Sequence, residues 1–151
     1  MNPMEAMAGQ IVWAARNMAH NLDFIPADKL DWKPAPTASS ALEIVGHITG
    51  VLNAMKPMLS GGSPETPDMT PATSAEEAKQ ALVSAAEAYA EALRAVKSED
   101  LQRQVDLRFA TWPLARAASL PAVDLLHHHG QIAYIQTLLG DTEAHFDMSL
   151  M

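Results

Sequence analysis

The residues of this 151-residue chain that could do chemistry concentrate in one run, Asp124-Leu125-Leu126-His127-His128-His129-Gly130-Gln131. A carboxylate and an imidazole four residues apart share one face of a helix, and from that spacing two side chains can reach one cation. Asp124 and His128 have this spacing, and His127, three residues from Asp124, is an alternative ligand. On a helical wheel of about 100° per residue, Leu120, Val123, Tyr134, Ile135 and Leu138 gather on one side. Asp124 and Gln131 fall near the middle of that stripe, His127 and His128 on its flanks, and His129 almost opposite. A carboxylate inside a packed bundle is costly unless it is paired or neutralised, and a divalent cation is one partner that relieves the cost.

His47 stands one turn after Ile44 and one before Val51, at the edge of a second apolar stripe, with Gly46 and Gly50 beside it on the more open side. If its helix neighbours the one carrying Asp124, His47 completes a three-ligand set. Three protein ligands leave positions open for water or substrate, as catalytic metal sites do. Gln131 is placed to orient a ligand. Each residue also has an ordinary structural reading. His47 suits a hydrogen-bonded core or surface imidazole, and the histidine run suits a partly solvated face. Asp124 can pair with Arg16, Arg108 or Arg116, and Gln131 can bond a core carbonyl. Trp13, Trp32 and Trp112 read as packing, His20 and His145 as surface. The methionines read as core filler, with Met55 and Met58 able to line a pocket.

Four helices must position these groups. Met4, Met7, Ile11, Ala15, Met18 and Leu22 recur at helical spacing, with Gln10, Asn17 and Asn21 pointing elsewhere, and Pro26 ends the segment. Ala27 to Ser39 reads as an extended connection. Ser40-Ala41-Leu42-Glu43 is a capping box that opens a helix through Leu59, its last turn strained by Pro57. Ser60 to Thr73, rich in Gly, Pro, Ser and Thr, reads as a flexible crossover longer than an ordinary helix connection. Ser74-Ala75-Glu76-Glu77 is a second capping box, and Ala78, Ala81, Leu82, Ala85, Tyr89, Ala92, Leu93 and Val96 follow inward. Val105 to Phe109 alternates like a strand that Trp112-Pro113 breaks, within otherwise irregular chain. Ser119-Leu120-Pro121 starts the fourth helix, which runs to Leu139 with Gly140 as its cap. The pattern predicts an all-α chain, a single-domain four-helix bundle over residues 1–151 with one long crossover.

Composition narrows the function. Ten Lys and Arg stand against 18 Asp and Glu, a formal charge of −8, which disfavours nucleic acid and anionic membrane surfaces as partners. The absence of cysteine excludes disulfides, a thiolate nucleophile and Cys-ligated metal. No apolar run approaches the roughly 18 residues of a membrane span. The start, Met1-Asn2-Pro3-Met4-Glu5, does not read as a signal peptide, so the expected address is cytoplasmic. No Ser-His-Asp signature, phosphate-binding glycine loop or basic aromatic patch is present.

Trp32-Lys33-Pro34 followed by Ser39 to Ile48, and then Asp124 to Gly140 with His128-His129-Gly130-Gln131-Ile132 and Tyr134-Ile135, resemble in order and spacing the two signatures of the DinB/YfiT-like superfamily. The resemblance implies a four-helix bundle that binds a divalent metal, typically zinc or nickel, and a frequent homodimer. It assigns His47, Asp124 and His128 as ligands, with Asp124 standing where the family usually has His. Two imidazoles and a carboxylate also suit iron, or zinc of altered preference; alternatively the departure marks a site that has lost its metal. Relatives include transferases and isomerases that use low-molecular-weight thiols. The resulting expectation is a metal-dependent enzyme, a thiol-dependent transferase acting on small electrophiles. The alternatives are a metal-dependent hydrolase and a non-enzymatic small-ligand-binding or stress-associated dimer with a vestigial site.

Overall fold

The computed structural model describes residues 3–150; Met1, Asn2 and Met151, and with them the first residues of the signal-peptide reading, lie outside the described residues. Helices α1 (Pro3–Leu22), α2 (Ala41–Met55) and α3 (Ala75–Arg94) are followed by a hairpin of β1 (Gln104–Asp106) and β2 (Thr111–Pro113). A single turn, α4 (Leu114–Ala117), leads into α5 (Leu120–Leu138). Helices α1, α2, α3 and α5 form the four-helix bundle, with α1 and α2 each packed against both α3 and α5. The helices that carry His47 and Asp124 are therefore neighbours.

Capping fixes where α2 and α3 begin. The Glu43 amide donates to Ser40 Oγ (3.3 Å) and the Ser40 amide donates to Glu43 Oε2 (2.9 Å), so both halves of the first box form. Only half of the second does. The Glu77 amide donates to Ser74 Oγ, but the Glu77 carboxylate accepts from the amide and hydroxyl of Thr73 instead. Pro57 tightens the end of α2 into a 3₁₀ turn, Lys56–Ser60, and Gly61 closes it at φ 97°.

The crossover lies flat on α2. Gly46 and Gly50 are buried under its backbone, and a side chain at Gly50 would strike the carbonyl of Asp68. These glycines do not leave His47 an open side; they admit the crossover. Around β1 and β2 the chain departs from the expectation of a broken strand. Trp112 and Pro113 form the second strand, paired with Val105 and Gln104. Arg108 makes the turn at φ 70°, secured by its amide donating to Asp106 Oδ1 (2.8 Å).

Two inward faces differ from those the sequence pattern selects. On α1, Asn17 and Asn21 point into the protein and are buried. On α5 the core face is Ala122, Leu125, His129, Ile132, Ile135 and Gln136, whereas Val123, Leu126, Tyr134 and Leu138 are exposed. His129 therefore points inward, opposite to the wheel expectation. The polar inward groups satisfy one another in a chain: His129 Nε2 donates to Asn21 Oδ1 (2.7 Å), Asn21 Nδ2 to Gln136 Oε1 (2.8 Å), and Gln136 Nε2 to the Glu143 carbonyl (3.0 Å). Asn17 bonds the backbone amide and carbonyl of Asp147, which holds the segment after α5 against α1. His145 in that segment is not a free surface residue: it stacks on Phe24 (3.4 Å between ring centres) and bonds Asp141. On α3, Ala81 faces solvent instead of the core. Met55 flanks the core and Met58 is fully buried.

Candidate metal centre

His47 emerges from the middle of α2, two turns past its capped start, and Asp124 and His128 emerge from successive turns of α5. The three meet in the groove between the two helices. His47 Nε2 lies 3.2 Å from Asp124 Oδ2, and His128 Nε2 lies 3.3 Å from Asp124 Oδ1. The two imidazole rings are 4.7 Å apart between centres. One ligand atom from each residue falls within 4.8 Å of the others.

Each imidazole approaches a different oxygen of the carboxylate, and the three groups are close enough to share a cation or to hydrogen-bond directly. Ligand atoms about 2.0–2.2 Å from a tetrahedral ion stand about 3.3–3.6 Å from one another, whereas charge-assisted hydrogen bonds close to about 2.7–2.9 Å. The tautomer of His128 decides between the two. His128 Nδ1 faces Gln131 Oε1 at 2.5 Å. With the Gln131 amide oxygen turned toward the ring, Nδ1 carries the hydrogen. Burial pushes the His128 imidazolium below its usual range, with His47 and His127 adding repulsion against the opposing pull of Gln131 and Asp124. A neutral ring with its hydrogen on Nδ1 presents a bare lone pair at Nε2, aimed at a carboxylate oxygen. Two lone pairs facing each other repel; a cation between them converts the repulsion into two bonds.

The arginines are engaged elsewhere. Arg16 pairs with Glu87, Arg116 lies over the Trp112 ring, and Arg108 reaches Thr66. None of the three expected alternatives is paired with Asp124. His127 is exposed, its ring edge-on to His128 (4.8 Å between centres), and it lies outside the three-residue cluster.

Two cavities flank the centre. One of about 570 Å³ is bordered by His128, Gln131 and Tyr134 of α5, Ile44 of α2, and Thr37 and Ser39. The other, about 390 Å³, is bordered by Asp124, by Val51 and Met55 of α2, and by Phe109 at the hairpin tip. His127 borders both. Ser39 and Phe109 did not stand out among the chemistry-bearing residues. The signal that points to Phe109 is an aromatic at the centre of a two-residue turn, where polar residues are usual.

A family model described as the DinB superfamily matches residues 10–132. The chain belongs to the DinB superfamily. Its fold is that of DinB-like proteins of known structure. One from Bacillus subtilis has a TM-score of 0.74 and 20% sequence identity, covering 91% of this chain and 94% of that one. Another, from Bacillus cereus, has a TM-score of 0.70 and 20% identity, covering 85% of this chain and 87% of that one. No curated protein matches the chain. Among the described residues no helix of this DinB-like bundle is long and apolar enough to cross a membrane.

Proposed function

We propose that the chain is a divalent-metal-dependent enzyme in which His47, Asp124 and His128 hold the ion, and that it transfers a small thiol to small electrophilic substrates. The observation that carries the metal assignment is the convergence of His47, Asp124 and His128, with one ligand atom from each within 4.8 Å of the others. Zinc or nickel is the expected ion, with iron admitted by the two-imidazole, one-carboxylate set. Bound there, a divalent metal supplies Lewis acidity, which lowers the pKa of a coordinated thiol and holds it as thiolate.

The protein's own groups do the rest. Asp124 offsets part of the ionic charge. The His47 and Asp124 side chains stay about one-third exposed, so a position on the ion faces solvent. Gln131 fixes one imidazole in the tautomer that ligates. The wider cavity beside Gln131, lined also by Ser39 and Thr37, suits a polar thiol. The exposed Leu126, Tyr134 and Leu138 on α5 support a homodimer. The same open position also suits water, and metal-dependent hydrolysis is the second reading for that reason.

Elemental analysis of protein purified without a histidine tag tests the proposal. Wild type is expected to carry close to one divalent ion per chain, and His47→Ala and Asp124→Ala to carry little. Absence of metal in wild type, even after incubation with zinc, nickel or iron, identifies a vestigial site and leaves a non-enzymatic binding protein.

A further inference from the structure

The narrower cavity is built in a way that the metal centre alone does not require. Its walls are apolar on three elements: Val51 and Met55 from α2, Leu120 and Val123 from α5, and Phe109 from the hairpin. Phe109 is 72% exposed and Val123 64%, an unfavourable display for large apolar side chains unless something covers them. The hairpin is braced to hold Phe109 there. Arg108 occupies a left-handed conformation uncommon for its type. Its amide bonds Asp106, its guanidinium reaches Thr66 of the crossover, and Trp112 supports the Phe109 ring edge-on at 5.8 Å. Backbone strain kept in place by several contacts is what a binding wall uses.

Asp124, a member of the triad, lines this cavity, while His128 lines the wider one and His127 lines both. The triad therefore contributes a side chain to each of two compartments. Among the described residues neither compartment has a Lys or Arg on its lining. A phosphate or carboxylate on a ligand would meet no Lys or Arg there, only the His127 imidazole.

We propose that the narrower cavity is the binding site for the hydrocarbon portion of an uncharged small-molecule substrate whose reacting end lies at the triad. The inference rests on the metal reading above and adds the substrate's class: neutral, with an alkyl or aryl group, and without phosphate or carboxylate. Phe109 and Val123 determine how large that group is.

The test uses the full chain loaded with cobalt(II), whose visible spectrum reports its ligands, titrated with straight-chain alkanethiols from ethanethiol to hexanethiol. The dissociation constant is expected to fall roughly fourfold per added methylene while the cavity fills. The dependence on chain length is expected to weaken in Phe109→Ser and in Val123→Ser, and to persist in Lys97→Gln, an exposed position on neither compartment. Mercaptocarboxylates of matching length are expected to bind more weakly than the neutral thiols. A chain-length-independent affinity in wild type, an unchanged dependence in both serine variants, or tighter binding of the carboxylates overturns the assignment while the cobalt spectrum leaves the metal centre standing. Absence of a cobalt spectrum removes the centre, and this inference with it.

Discussion

Replacing Gln131 with Met isolates the contribution of one hydrogen bond to the metal centre. Gln131 is exposed and makes its bond to His128 Nδ1. Methionine keeps the length and removes the acceptor. The His128 ring then exchanges tautomers, and part of the population turns an N–H instead of a lone pair toward Asp124. Loss of a group that orients a ligating imidazole typically weakens metal affinity about 10- to 100-fold, which is about 1.4–2.7 kcal/mol. The fold has little stake in the change, because an exposed side chain outside the core shifts unfolding by only about 0.5 kcal/mol. Competition for zinc against a chromophoric chelator measures the affinity, and urea unfolding of the metal-free protein measures the stability. Gln131→Glu keeps an acceptor and is expected to bind within a few-fold of wild type. A Gln131→Met affinity within twofold of wild type refutes the argument that the amide sets the ligating tautomer.

Asn21→Leu leaves His129 Nε2–H and Gln136 Oε1 buried without partners. At about 1–3 kcal/mol for each orphaned group, urea unfolding is expected to show a loss of about 2–6 kcal/mol, and a loss below about 1 kcal/mol contradicts the network. Burial holds His129 below the usual imidazole value of 6.5, so the unfolded chain takes up protons that the native state refuses. Stability of the metal-free protein is then full above that value and is lost as pH falls below it toward the native value; an unfolding midpoint unchanged between about pH 7 and about pH 5 contradicts this. Gly50→Ala places a methyl group against the Asp68 carbonyl, and is expected to cost about 1–3 kcal/mol and to make the crossover more susceptible to proteolysis. Unchanged stability and cleavage would show that the crossover does not rest on α2.

Much of the bundle was legible because α1, α2 and α3 each concentrate their apolar residues on one side. The cap at Ser40 and the left-handed Gly140 mark helix ends through local chemistry that needs no tertiary knowledge. The face of α5 was not legible, for a specific reason. That helix is apolar on two sides, with Leu125, Ile132 and Ile135 on one and Val123, Leu126 and Tyr134 on the other. Periodicity identifies a stripe but does not choose between two. The core side also carries His129 and Gln136, which look like surface residues until Asn21 is seen to satisfy them. The same blindness hid Asn17, whose partner Asp147 is 130 residues away. The spacing of Asp124 and His128 did not depend on that choice, since an i, i+4 pair stays adjacent whichever way the helix is turned. Their meeting with His47 depended on α2 and α5 being neighbours, which is a property of the packing. The hairpin escaped because its turn uses Arg108 and Phe109 where the usual sequence signal is Asn-Gly or Asp-Gly.

Anomalous diffraction from crystals grown with zinc tests the metal centre most directly. The account predicts one strong peak in the groove between α2 and α5, about 2.0–2.2 Å from an imidazole nitrogen of His47, an imidazole nitrogen of His128 and a carboxylate oxygen of Asp124. Zinc bound only at other residues, or no peak in that groove at saturating zinc, contradicts it.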